Sequence, residues 1–426
     1  MFMISEFLSL PAEVLQTSMR EHQKFFSIRN PKHNKVVQFA TVANRETPDG
    51  GSTILSGNQK VLSARLSDAK FFWDNDLRTI KTDGLDIWLE KLKTVTFHNK
   101  LGSQFERVER IINLSEIIAK KIGCDPKLAK DAAYISKADL SSEMVYEFPE
   151  LQGIMGTYYA KKAGYAASVS ETCKDHYAPL GPSDEVPGSP ISTVVALADK
   201  IDTLTNFWAI EEKPTGSKDP FALRRSALGM IRIIIENDIR ISLSEILALG
   251  NKKADIEDLK EFIYQRMKVF LREKGLRHDI IDACLSIDKE DDLALSVKKS
   301  SALMEFIKTS DGSELIQGFK RANNILLQAE NNDGVEYSFG ADLKYAKEDA
   351  ELNLFSVLDS EEVKIKASLE REDFVEAMNS MANLRAPIDS FFETVQINSD
   401  VDHIRRNRLN LLSQICKLCL SVADLT

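Results

Sequence analysis

Three kinds of side chain in this sequence have the types and spacing to do chemistry. His176, Asp199 and Asp202 come first, because imidazole and carboxylates drawn from separate helices hold a divalent ion and, through it, activate water. Cys416 and Cys419 in CKLC have the spacing of half a zinc site, but no second Cys or His pair follows them. They stand in an apolar stretch beside Ile415 and Leu420, so packed core thiols are expected. Arginine is the third kind. GSKDPFALRR carries Lys218, Arg224 and Arg225 behind an Asp219-Pro220 corner, where Asp caps free amides and Pro suits the first helical position, so a helix is expected to start there. In FALRRSALGMIRIII, Phe221, Leu228 and Ile231 form the packing stripe, and Arg225 and Arg232 lie two turns apart on another face. Arg405, Arg406 and Arg408 open the last helix, with Arg405 and Arg408 on one face, and Arg321, Asn323 and Asn324 interrupt an earlier helix. Each arginine has two readings: a helix face paired with nearby Asp or Glu, or a grip on phosphates and unpaired bases. No Walker A loop, dinucleotide fingerprint or nucleophile elbow occurs, and no catalytic centre supplied by this chain alone is expected.

The elements that must position these residues are mostly helical. The chain has 426 residues, 43% of them hydrophobic, which allows several domains with proper cores. Its net charge of −10 argues against wholesale attraction to nucleic acid or anionic membrane, so any polyanion site must be local. The start, MFMISEFLSLPAEVL, has no basic flank and carries Glu6 and Glu13, so neither a signal peptide nor a membrane span is expected and a cytoplasmic location is. Five scattered cysteines fit reduced thiols. KFFSI and KVVQFATVA, separated by RNPKHN, read as a hairpin in a mixed first segment, and helical spacing begins at Leu62. It continues through long segments broken by the loop APLGPSDEVPGSP. After about residue 240 come charge-rich amphipathic helices, and from about 313 a helical bundle in which Phe374, Met378 and Met381 face inward. Pro387 is expected to open a helix burying Ile388, Phe391, Phe392 and Val395.

ALADKID in a mostly helical domain resembles the HD family of metal phosphohydrolases. At the place of that family's His-Asp pair this sequence reads SKADL, with Lys137 and Ala138 before Asp139. A lysine brings positive charge to where a cation would bind, so no working metal site is expected, and ordinary helix-surface or buried hydrogen-bonding roles are expected for these residues. The literal pair His278-Asp279 lies in a charged connecting stretch and reads as coincidence.

Longer motifs carry a second resemblance. LPAEVLQTSMREHQKFF, GNQKVLSARLSDAKFFWDND, KADLSSEMVYEFPELQGIMGTYYA, ALADKIDTL, DPFALRR, KRANNILLQ and IDSFFETVQINSDVDHIRRNRLNLL occur in order along nearly the whole chain. They resemble the β subunit of the bacterial two-subunit glycyl-tRNA synthetase, and the C-terminal part is similar to the helical anticodon-binding domain of arginyl-tRNA synthetase. Family members carry a long region before LPAEVL, with domains like those of the phenylalanyl-tRNA synthetase β chain, and this chain reads as the part that follows it. The resemblance implies a mainly α fold. Residues 1–60 would be a small α/β remnant, 61–240 a degenerate HD-like helical domain, 241–312 a helical linker, and 313–426 an anticodon-binding helical bundle. It also implies an α2β2 ligase in which the α subunit holds glycine, ATP and Mg, while the β subunit holds tRNA-Gly by acceptor arm and anticodon and has no cofactor of its own. The tRNA-contact candidates are then Lys218, Arg224, Arg225, Arg232, Arg321, Asn324, Arg405, Arg406 and Arg408, the first three facing the acceptor arm or the α subunit. The alternatives are a metal-dependent HD-type phosphohydrolase and a structural scaffold for the α dimer.

Overall fold

A computed structural model describes residues 5–30, 35–287 and 291–423. The chain divides into two compact units, Met1–Asn237 with Ile246–Leu259, and Asp238–Glu245 with Lys260–Thr426. Helices dominate both. Among the described residues the sheets are two antiparallel pairs, β1 (Phe26–Arg29) with β2 (Val36–Ala40), and β3 (Thr96–His98) with β4 (Gly102–Ser103). The expected hairpin therefore forms, with Phe26 opposite Ala40 and Phe25 stacked on Phe39 at 5.1 Å; residues 31–34 of its connection lie outside the described residues. No helix among the described residues is long and apolar enough to cross a membrane.

In the first unit the longer helices are α1 (Ser52–Asp83), α2 (Gln104–Ile122), α3 (Pro126–Ile135), α4 (Ile154–Lys162), α5 (Ala167–Asp175), α6 (Pro190–Ala209) and α7 (Leu223–Glu236). Helix α1 starts ten residues before Leu62, because the Asp49 carboxylate accepts from the Thr53 amide at 2.8 Å and from Ser52 Oγ at 2.9 Å, fixing its first turn. An expected boundary at 60/61 thus falls inside a helix. Helix α6 is the axis of the unit: every residue from Ile191 to Trp208 is buried, and α2, α3, α5 and α7 pack around it. A helix buried on all sides must satisfy its polar residues internally, and α6 carries Asp199, Lys200, Asp202, Thr203, Thr205 and Asn206. The surrounding helices are fixed at their starts. α2 opens with a capping box between Ser103 and Glu106, and α3 with Asp125 as cap and Pro126 at its first position.

The Asp219-Pro220 corner behaves differently from expectation. Helix α7 begins at Leu223, after Ala222 in the left-handed region at φ 54, and Pro220 lies outside it. Asp219 still caps, accepting from the amides of Leu223 at 2.8 Å and Arg224 at 3.0 Å across an intervening turn. That turn swings Phe221 off the helical stripe and onto Phe207, with ring centroids 4.3 Å apart. Packing of one aromatic ring has displaced the helix start by three residues.

The second unit contains α8 (Leu293–Ile307), α9 (Ser310–Asp333), α10 (Asp349–Glu370), α11 (Phe374–Ala382), α12 (Arg385–Thr394) and α13 (Asp402–Leu420). One core joins them, including Phe319, Leu354, Ile365, Met381, Phe391, Leu412 and Ile415. Phe374, Met378, Met381, Ile388, Phe391, Phe392 and Val395 are buried as the spacing predicts. Pro387 stands third in α12, not first, within the turn whose amides have no intrahelical acceptor. A boundary at 312/313 falls inside α9. Cys416 and Cys419 are free and buried, and burial pushes both thiols up to about 12.

One ion pair ties the bundle's last helix to its middle. Arg408 meets Glu351 at 2.8 and 2.9 Å, with the two side chains 7% and 1% exposed, and donates to the Gln396 carbonyl at 2.8 Å. Glu351 also accepts from the amides of Lys347 and Glu348, closing a capping box at the start of α10. Burial alone would raise the Glu351 carboxyl, but Arg408 and the two amides outweigh it and hold it below the ordinary 4.5. A depressed folded value means that the contribution is complete above the ordinary value and is lost as pH falls below it. Arg408→Met should lower stability by about 3–5 kcal/mol in urea unfolding at neutral pH, because it leaves a buried carboxylate unpaired. Glu351→Gln should flatten the stability-versus-pH curve below the ordinary carboxyl value; an unchanged acid limb would show that the pair carries no pH-dependent stability.

Candidate functional site

The polar residues of α6 meet a lysine. Lys137, 1% exposed, follows α3, and its Nζ lies 3.0 Å from His176 Nε2, 3.0 Å from Asp199 Oδ1 and 4.5 Å from the centre of the Tyr177 ring. His176, just past the end of α5, has Nδ1 2.8 Å from the Thr172 carbonyl. A carbonyl only accepts, so Nδ1 carries the proton and the lone pair of Nε2 faces the ammonium. Burial first, and then the Lys137 charge, lower His176 to about 3 and keep the ring neutral. Burial also pulls Lys137 below its ordinary value, with Asp199 opposing that fall.

Around this centre two carboxylates are matched by three cations. Asp199 also receives Arg107 Nη2 at 3.0 Å; burial would raise its carboxyl, but Arg107 and Lys137 hold it far below the usual carboxylate range. Arg107 donates to Thr203 Oγ1 at 2.8 Å and stands 3.6 Å from Asp202, which takes Arg110 Nε at 2.6 Å. Both atoms that would ligate a divalent ion, His176 Nε2 and Asp199 Oδ1, face the ammonium, so this donor set does not fit a resident metal ion. Asp139 is turned elsewhere: its Oδ2 accepts from the amides of Gly153 at 2.6 Å and Gly156 at 2.9 Å at the start of α4, and burial pushes its carboxyl up to about 6.

Above the lysine centre the first unit opens into a cleft of about 450 Å³, lined by Arg107, Lys137, Asp199, Lys200 and Arg225 among aromatic side chains. The sequence reading missed Arg107, Arg110 and Lys200. The i,i+3 spacing of the two arginines on α2 was a readable signal of a shared face, and Lys200 lies inside the quoted ALADKID.

The expected tRNA-contact residues fall into three groups. Lys218, Arg225, Asn324 and Arg406 are exposed, and their side chains have no hydrogen bond or ion pair among the described residues. Arg224 is half-buried and donates to the Gly216 carbonyl at 2.6 Å, and Arg321 is exposed with its guanidinium 4.5 Å from the centre of the Phe392 ring. Arg405 is partly engaged, meeting Asp333 at 2.8 Å and Tyr337 Oη at 3.2 Å. Arg232 and Arg408 are interior residues. Arg232 is 6% exposed, pairs with Glu236 at 2.8 Å and donates to the carbonyls of Gly181 at 3.0 Å and Asp184 at 2.6 Å, pinning the loop before α6. Their guanidinium groups are committed to internal acceptors, which leaves a surface role to the exposed cations. Arg405 and Arg408 do share a face, but their carboxylate partners are Asp333 and Glu351, not the neighbouring Asp400 or Asp402.

Removing the carboxylate from the lysine centre tests its role directly. Asp199→Asn should lower the unfolding free energy by about 3–5 kcal/mol, since it leaves Lys137 and Arg107 buried without their shared anion. EDTA should leave the Tm of the unaltered protein unchanged; a large chelator-induced fall in Tm would mean that an ion, not the ammonium, holds these residues.

Residues 3–286 match the family model described as glycyl-tRNA synthetase beta subunit, and residues 315–424 match the DALR anticodon binding domain. The chain is 62% identical over 423 residues to a glycine–tRNA ligase beta subunit of Ruegeria sp. (strain TM1040), covering 99% of this chain and 62% of that protein. It is 59% identical over 432 residues to the one from Cereibacter sphaeroides (strain ATCC 17029 / ATH 2.4.9), with 99% and 62% covered, and 45% identical over 430 residues to that of Rhodospirillum centenum (strain ATCC 51521 / SW), with 98% and 60% covered. The chain thus spans about three-fifths of the length of these relatives. With a family model matched over most of its length and a second matched over the C-terminal bundle, the chain belongs to the glycyl-tRNA synthetase beta subunit family.

Proposed function

We propose that this chain is the tRNA-holding part of a cytoplasmic glycine–tRNA ligase. Its C-terminal bundle engages the anticodon of tRNA-Gly, and Lys218, Arg224 and Arg225 meet the acceptor arm or the neighbouring α subunit. Glycine, ATP and Mg are handled by that α subunit within an α2β2 assembly, and this chain holds the nucleic acid in register for the transfer.

The observation that carries the reading is the match of residues 315–424 to an anticodon-binding domain together with the exposed Arg321, Asn324 and Arg406 on α9 and α13. Unpaired anticodon bases offer stacking faces and polar edges, and guanidinium groups serve both while meeting flanking phosphates. Arg321 already lies over an aromatic ring at 4.5 Å, which holds its guanidinium plane in place at the surface. An acidic chain with a few uncommitted cations suits selective binding, because non-specific attraction to polyanions is weak.

A titration of the chain with tRNA-Gly and with a non-cognate tRNA, repeated over a salt series, tests this reading. Saturable binding should favour tRNA-Gly and weaken as salt rises. Arg321→Ala with Arg406→Ala should cost about 1–3 kcal/mol of binding and flatten the salt slope, at unchanged Tm. Equal binding of both tRNAs, or a folded double variant with unaltered affinity and slope, would overturn the anticodon assignment and favour a scaffold role.

A further inference from the structure

Of the residues lining the cleft above the lysine centre, the tRNA reading uses Arg225 alone. Its lining contains four cations, Arg107, Lys137, Lys200 and Arg225, and a single carboxylate, Asp199. Arg107 and Lys137 both lie 3.0 Å from Asp199 and balance it. The lining cations without an ion pair to a carboxylate are Lys200 and Arg225. Lys200, 6% exposed, gives its ammonium to the uncharged Ala178 carbonyl at 3.0 Å. Its stem passes α7 at Gly229, where a Cβ would come within 2.6 Å of the lysine Cε, so the missing side chain there is what lets Lys200 run to the cleft. Arg225, on the first turn of α7, has no hydrogen bond or ion pair among the described residues.

The walls are aromatic. Phe97, Tyr177, Phe207 and Phe221 line the same cleft, with Phe207 stacked on Phe221 at 4.3 Å and the Arg107 guanidinium 4.3 Å from the centre of Phe97. Three lining residues also carry buried polar atoms without a hydrogen-bond partner among the described residues: Tyr177 Oη, Gln104 Oε1 and Arg107 Nε, the last 3.6 Å from Asp202. A buried donor or acceptor left unmade is costly, so such atoms mark where a ligand's polar edge belongs. A bare inorganic anion would use the cations and leave the rings and the polar atoms idle; an apolar ligand would leave the charge unanswered. A volume of about 450 Å³ lies within the range of small-molecule sites.

We propose that this cleft binds a nucleotide unit, with Lys200 and Arg225 answering its phosphate and the aromatic walls, Tyr177 and Gln104 answering its base and sugar. The unit can be a free mononucleotide or an unstacked nucleotide of an RNA strand, which present the same chemistry. Binding is without hydrolysis, because the imidazole and carboxylate that would hold a catalytic ion are occupied by Lys137. The proposal draws on the cleft alone and is independent of the anticodon reading; it shares Arg225 with the acceptor-arm assignment.

Calorimetric titration of the chain with the four nucleoside 5′-monophosphates, the matching nucleosides, inorganic phosphate and single-stranded ribotrinucleotides tests it. At least one monophosphate or trinucleotide should bind saturably, about tenfold more tightly than the matching nucleoside and than inorganic phosphate. Arg225→Gln, at an exposed position, should weaken that binding about tenfold or more at unchanged Tm. Gly229→Ala should do the same by pushing Lys200 aside, and Arg321→Ala with Arg406→Ala should leave it intact. A trinucleotide that outcompetes every monophosphate identifies an RNA strand as the source, and the reverse order identifies the free nucleotide. Absence of saturable binding by every monophosphate and trinucleotide at millimolar concentration, inorganic phosphate binding as tightly as the nucleotides, or binding indifferent to Arg225→Gln would overturn the proposal.

Discussion

Lys137 Nζ lies 3.0 Å from the Asp199 carboxylate and 3.0 Å from His176 Nε2 in the interior of the first unit, and three helices must stay in place for those atoms to meet. The lysine comes from the corner after α3, the histidine from the end of α5 and the aspartate from the middle of α6. A buried ammonium is costly unless an anion and hydrogen-bond acceptors surround it. Asp199 supplies the anion, the imidazole supplies a lone pair, and the Tyr177 ring supplies a π face at 4.5 Å. Arg107 and Arg110 then balance the second carboxylate, Asp202, so that the most deeply buried helix of the unit carries no unpaired negative charge. The ammonium does structurally what a cation would do, without offering an open coordination position for water.

That substitution shapes the surface above it. With Lys137 and Arg107 paired to Asp199, the cleft cations that form no ion pair with a carboxylate are Lys200 and Arg225. The second unit obeys the same rule with a different outcome. There Arg408 and Glu351 close on each other completely, the start of α10 is locked by the same carboxylate, and Arg321 and Arg406 stay exposed.

How much of this was legible in the sequence follows from the range of the interactions involved. The amphipathic helices of the bundle and the buried Cys416 and Cys419 were readable, because each depends on spacing within a turn or two. The fates of Arg232 and Arg408 were not. Glu236 stands within one turn of Arg232, but the carbonyl of Gly181 and the carboxylate of Glu351 that draw the two side chains inside lie 51 and 57 residues away, and helical periodicity says nothing about what a face packs against. The start of α7 was misplaced for a related reason. The Asp-Pro corner has the chemistry of a helix start and acts as one at Asp125-Pro126, whereas at Asp219-Pro220 the ring of Phe221 seeks Phe207 and the chain turns once more before the helix begins. Tertiary packing overrode a correct local signal. The expected domain limits at 60/61 and 312/313 fall inside helices that run through both positions.

The state of His176 reports on the ammonium most directly, because the Thr172 carbonyl fixes one ring nitrogen and Lys137 the other. Long-range proton–nitrogen NMR of histidine-labelled protein reads both the tautomer and the charge of that ring. The account predicts a neutral imidazole protonated on Nδ1, with signals constant from about pH 8 to about pH 5 while exposed histidines titrate. A ring that titrates near the ordinary 6.5, or one protonated on Nε2, would contradict the placement of a lysine ammonium at the centre of this unit.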